Sequence, residues 1–270
     1  MERFVDPEPP MVLSEDLEPE LDATLYAAGA PPKGNRFVDP QAPVIDLGNN
    51  PNKTKILHFM DVSVPKDLHK LLEVQKKEFA EKTNYKQAWD AAVKILESKR
   101  KTGALKKDHN PDEYHVALIA YTLETPNLYS DFNMQTRTLY TKFGIEKYPY
   151  KSFFKFLMLA VENVKGKPET IKDGTLLYRG CKGQVKDAAV GKYILFQHYV
   201  STSLKSSTAT AFGADVEFVI STVAKAKHIG LEAHSTMNEQ EVLFWPFEDY
   251  LITDIKKTGS KTTIYAKNQR

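Results

Sequence analysis

Lys172-Asp173-Gly174-Thr175-Leu176-Leu177-Tyr178-Arg179-Gly180 is the stretch at which this chain changes character. Upstream, apolar residues recur every three or four positions. Leu68, Leu71, Leu72 and Phe79 form one stripe, Tyr85, Trp89, Ala92, Val93 and Leu96 a second, and Phe153, Leu157, Ala160, Val161 and Val164 a third. That spacing predicts amphipathic helices whose apolar faces make the core. Asn110-Pro111-Asp112-Glu113 reads as a helix start, with a capping side chain, a first-turn proline and early acids. Downstream the pattern becomes short β-like runs at 175–178, 193–200, 216–221, 241–245, 250–255 and 262–266. Helices first and strands second predict an α+β fold, helical over about 60–170 and β over about 175–267.

Three short islands sit on or beside these strands: Leu177-Tyr178-Arg179-Gly180, Ser201-Thr202-Ser203 and Glu239-Gln240-Glu241-Val242-Leu243. Ser201 follows Arg179 by 22 residues and Glu241 follows Ser201 by 40. Each island alone is weak. Glu18-Pro19-Glu20 repeats the Glu-x-Glu pattern in a proline-rich segment, and a Ser-Thr-Ser run bonds local backbone readily. As an ordered set they match the needs of one reaction, cleavage of the bond between ribose and nicotinamide in NAD. A guanidinium such as Arg179 grips a pyrophosphate or ribose through a fixed fork of donors. Glu241 supplies a carboxylate to stabilise the oxocarbenium-like sugar, and Ser201 holds that carboxylate in place. Residues two apart on an extended segment share a side, which would place Glu239 beside Glu241 to orient and deprotonate a cationic acceptor.

On these motifs the chain resembles the arginine-specific mono-ADP-ribosyltransferases, a family marked by Arg, Ser-x-Ser and Glu-x-Glu and shared with clostridial binary toxins. The segments Ala117-Leu118-Ile119-Ala120-Tyr121-Thr122 and Leu128-Tyr129-Ser130-Asp131-Phe132-Asn133 resemble helices that precede the motifs in the animal branch. The resemblance implies two crossed, mainly antiparallel small sheets with NAD as co-substrate in the cleft between them. It implies catalytic roles for Arg179, Ser201, Glu239 and Glu241. Cofactor binding would involve Arg179, Gly180, Ser201, Thr202, Ser203 and Phe212, with the Gly180 backbone holding the nicotinamide amide and Phe212 stacking over the cofactor. An acid at 239 goes with an arginine acceptor, here on a protein. An NAD glycohydrolase using the same site, or a silent binding module, are the alternatives.

The 270 residues are 41% hydrophobic and 27% charged, enough for a good core in one domain with appendages or in two small domains. A formal charge of +2 gives no argument for nucleic acid, and the basic run around Lys99-Arg100-Lys101 lacks interleaved aromatics. The seven histidines show no metal-ligand spacing, so no metal is expected. No apolar run approaches the roughly 20 residues that cross a bilayer. Residues 1–10 lack the organisation of a secretory signal, the chain has no apolar tail, and Cys181 is its single cysteine. These features predict a cytosolic protein, with secretion after processing left open.

Residues 1–54 are expected to be a proline-rich, acidic, mostly disordered arm, with the transferase domain at 55–270. Nine of the fifteen prolines lie within the first 51 residues, and residues 1–50 carry ten acids against three bases. Within it, Arg3-Phe4-Val5-Asp6-Pro7 recurs 33 residues later as Arg36-Phe37-Val38-Asp39-Pro40. The duplication reads either as a short motif that docks on a partner or on the chain's own domain, or as a tolerated duplication without a role.

Overall fold

The computed structural model describes residues 38–39, 43–46, 51–166, 171–207, 214–223, 225–237 and 240–269. Six α-helices are described: α1 (Pro51–His58), α2 (Leu68–Glu81), α3 (Thr83–Lys101), α4 (Asp112–Thr122), α5 (Tyr129–Thr141) and α6 (Lys151–Asn163). Two short strands precede them, β1 (Val38–Asp39) and β2 (Val44–Asp46). Eight follow: β3 (Leu176–Cys181), β4 (Tyr193–Leu195), β5 (Val200–Ser203), β6 (Val216–Ser221), β7 (His228–Gly230), β8 (Glu241–Phe244), β9 (Tyr250–Thr258) and β10 (Lys261–Asn268). The α+β order is the one the periodicity predicts.

The apolar stripes of α2, α3 and α6 meet in one core. Leu71, Tyr85, Phe153 and Leu157 are all fully buried there. Helix α6 begins without a side-chain cap of its own. Instead, the Glu78 carboxylate on α2 accepts from the Lys151 amide (2.8 Å), the Ser152 amide and the Ser152 hydroxyl, satisfying donors that a helix start leaves open. Burial pushes the Glu78 carboxyl up to about 7. Asn110, expected to cap α4, binds Asp108 Oδ2 (2.8 Å) instead, and no side chain caps that helix.

The strands run in the order β2-β4-β9-β10-β6-β3-β5-β8-β7, with β1 added beside β3. Pairings are antiparallel except β10 with β6 and β1 with β3. In place of the two separate crossed sheets expected, the described strands form one ten-stranded sheet with a narrow join. The larger group ends at β3, the smaller begins at β5, and a single ladder pair, Tyr178 with Ser203, joins them. A second core lies on the strand side, including Leu177, Phe196, Phe218, Val242 and Ile264.

Three expectations change. The run at 193–200 is two strands, because Gln197 takes a positive φ of 63° and sends the chain from the larger group into the smaller. Strand β7 had no sequence signal. The boundary drawn between residues 54 and 55 falls inside α1, where Ile56 is fully buried, and both Val38–Asp39 and Val44–Asp46 pair with later strands. The paired backbone of β1 and β2 corrects the expectation of disorder for those residues. The first copy of the repeat lies outside the described residues.

Candidate active site

The three islands converge on the seam between the strand groups. Arg179 lies on β3, Ser201, Thr202 and Ser203 on β5, and Glu241 opens β8. Antiparallel pairing sets Ser203 opposite Glu241, so Ser201 is the diagonal neighbour of Glu241 on the same face. The Ser201 hydroxyl donates to Glu241 Oε1. Arg179 Nη1 donates to the Ser201 carbonyl at 2.6 Å, and its guanidinium carbon lies 5.6 Å from the centre of the Phe196 ring. One backbone group on β5 therefore fixes the arginine, and the side chain of the same residue fixes the acid. Thr202 turns to the opposite face, where its hydroxyl donates to the Val242 carbonyl at 2.8 Å. The Ser203 hydroxyl accepts from the Lys205 amide at 3.0 Å, tying down the chain that leaves β5.

All of these groups are inside the protein. Arg179 is 2% exposed, Ser201 0% and Glu241 1%. Charged side chains are rarely this buried unless they are held by specific partners, and such clusters concentrate at functional sites.

Two residues not assigned by the sequence line this cluster. His198 is fully buried, with Nδ1 2.5 Å from the Tyr199 carbonyl and Nε2 3.5 Å from Arg179 Nη2. One neutral tautomer, protonated at Nδ1, satisfies both contacts. Position 198 lies in the link between β4 and β5. Tyr121, on α4, accepts from Asn133 Nδ2 (3.2 Å) and donates to the Tyr199 carbonyl (3.2 Å). Burial pushes its hydroxyl up to about 12, with Glu241 adding to the rise and the Arg179 charge and a Ser201 hydrogen bond opposing it. The helical half thus backs the seam directly. Nothing in the spacing of Tyr121 marks it, because its role depends on which helix packs behind β5.

Glu239 and Phe212 lie outside the described residues. The argument that Glu239 shares a side with Glu241 needs an extended residue between them, whereas Gln240 has a φ of +48°. Strand alternation therefore begins at Glu241 and does not carry back across Gln240. Cys181 is buried and reduced, as a small packed residue. Among the described residues no group of three or more metal-binding side chains occurs, and no helix is long and apolar enough to cross a membrane.

A solved structure of the eucaryotic mono-ADP-ribosyltransferase ART2.2 shares this fold, with a TM-score of 0.62 at 21% identity, covering 84% of this chain and 95% of that one. The two chains therefore share one architecture. The chain belongs to the NAD:arginine ADP-ribosyltransferase family, whose model matches residues 64–270. Among its relatives, bovine (Bos taurus) ecto-ADP-ribosyltransferase 5 is 25% identical over 69% of this chain and 59% of its own length. The GPI-linked NAD(P)(+)–arginine ADP-ribosyltransferase 1 of Mus musculus is 27% identical over 73% of this chain and 62% of its own. The chain thus spans about three fifths of the length of these relatives. Their names contradict the cytosolic expectation. The features behind it do not discriminate, because a single buried cysteine packs the same way on either side of a membrane.

Proposed function

We propose that this protein transfers ADP-ribose from NAD to arginine side chains of an acceptor protein and releases nicotinamide. The observation that carries the proposal is the Glu241 carboxylate held by the Ser201 hydroxyl one strand from Arg179, in a chain of the NAD:arginine ADP-ribosyltransferase family. Relatives named as NAD(P)(+)–arginine ADP-ribosyltransferases support the donor and the acceptor.

In this reading Arg179 binds the phosphates or the adjoining ribose of NAD, where its fork gives direction as well as charge. The Gly180 backbone holds the nicotinamide carboxamide. Ser201 orients Glu241 and Ser203 lies on the same face of β5, while Thr202 faces away from the cleft. The C–N bond between ribose and nicotinamide breaks, its electron pair leaving with nicotinamide, and positive charge develops on the sugar. Glu241 stabilises that charge and binds the ribose 2′-hydroxyl, both interactions strengthening in the transition state. An acceptor guanidinium nitrogen then forms the new bond to the sugar and gives up a proton, which Glu239 receives.

The Glu239→Gln variant tests the acceptor half. Transfer to a simple guanidine such as agmatine is expected to fall by about 100-fold, the usual scale for a lost general base, while hydrolysis of NAD persists. Equal transfer by the variant and the parent would remove Glu239 from the mechanism.

A further inference from the structure

Strand β3 has two edges. Along its full length one edge pairs with β6, while the other meets β5 only at Tyr178. Beyond that point β1 takes the place of β5, running parallel to β3 with Val38 opposite Gly180 and Asp39 opposite Cys181. The carbonyls of Thr175 and Cys181 accept from Thr222 and Asp215, so odd-numbered residues of β3 turn their backbone groups toward the β6 side. Strand alternation then turns the N–H and C=O of Gly180 toward β1.

A carboxamide and an extended peptide present the same chemistry to such an edge, one acceptor and one donor for one N–H and one C=O. The Gly180 pair serves one of them at a time. We propose that β1 is an intrasteric strand occupying the nicotinamide subsite, and that NAD seats when Val38–Asp39 leaves the edge of β3. This rests on the role given to Gly180 under the proposed function.

Three further observations agree. Gly180 is buried, and Arg179, Ser201 and Glu241 show at most 2% of their surface, which describes a closed cleft. Strand β1 has only two residues, a pairing weak enough for a ligand to displace. It also lies outside the region matched by the family model, 64–270, and inside the second copy of the repeated Arg-Phe-Val-Asp-Pro.

The test uses the full chain and the double variant Val38→Pro/Asp39→Pro, which removes both donors of β1 and resists the strand conformation. Amide exchange at Gly180 is measured without NAD, NAD binding by calorimetry, and nicotinamide release by turnover. The variant is expected to exchange Gly180 faster and bind NAD with an apparent Kd about 10-fold lower, as when a small competent fraction becomes the main one. Faster exchange with unchanged NAD affinity overturns the proposal, as does unchanged exchange. Tighter NAD binding with no nicotinamide release from either protein supports the strand and rejects the transfer reaction. Absence of NAD binding by both rejects the strand proposal together with the role given to Gly180.

Discussion

The helical half and the strand seam both bury polar groups, but they do so for different ends. In the helical half, Glu78, Ser152, Tyr85 and Gln75 form a chain of hydrogen bonds in which each group completes another, and the Lys155 ammonium is tied to the Met60 carbonyl at 2.5 Å. These networks close helix ends and turns. At the seam, Arg179, His198, Ser201 and Glu241 are gathered on three neighbouring strands and the link before β5, where no helix end needs closing. The charges at the seam are held by strand backbone and side chains and not by a helix end. The comparison separates packing polarity from chemical polarity within one molecule.

Substitutions should divide along the same line. The largest effect is expected from Phe153→Ala, since Phe153 is fully buried with its ring 4.9 Å from that of Phe132 and 5.2 Å from that of Tyr85. Denaturant unfolding should show a loss of about 4 kcal/mol, while kcat per folded molecule stays within about 3-fold of the parent. A comparable fall in kcat would break the division. Arg179→Lys should do the reverse. Loss of the bidentate fork is expected to lower kcat/KM for NAD by about 100-fold, roughly 3 kcal/mol, with little change in unfolding.

The pH dependence sharpens the helical side. The carboxyl of Glu78 titrates at about 7 in the fold against an ordinary value near 4.5, so the folded state binds the extra proton between those values. The stability linked to Glu78 is therefore complete below about pH 4.5 and is lost as pH rises through 7, amounting to a few kcal/mol. Urea midpoints measured from pH 5 to 8 should fall with pH in the parent, and fall less in Glu78→Gln. The smallest effect belongs to the seam. Gln240 holds a left-handed conformation next to Glu241, and Gln240→Gly should raise stability by up to about 1 kcal/mol, readable as a small rise in thermal midpoint.

How much of this was legible in the sequence follows from the range of the forces involved. The helices were legible because a stripe such as Tyr85, Trp89 and Ala92 is a local record of a buried face. Arg179, Ser201 and Glu241 were legible as an ordered set of residue types, and the seam brings the three together. The break at Gln197 was not, since nothing local announces a left-handed glutamine, and the single Tyr178–Ser203 link is a long-range pairing that no periodicity encodes. Tyr121 and His198 escaped because their roles come from packing across the seam. Strand β1 escaped because acidic, proline-rich composition predicts disorder even where two residues find a strand edge.

The most direct test of the central claim is nicotinamide release from NAD by the purified protein, with and without agmatine, beside the Glu241→Gln variant. The account predicts release that rises with agmatine and falls by about 1,000-fold in the variant, the scale of losing a preorganised charge at a developing cation. Agmatine-stimulated release that survives in Glu241→Gln would contradict it.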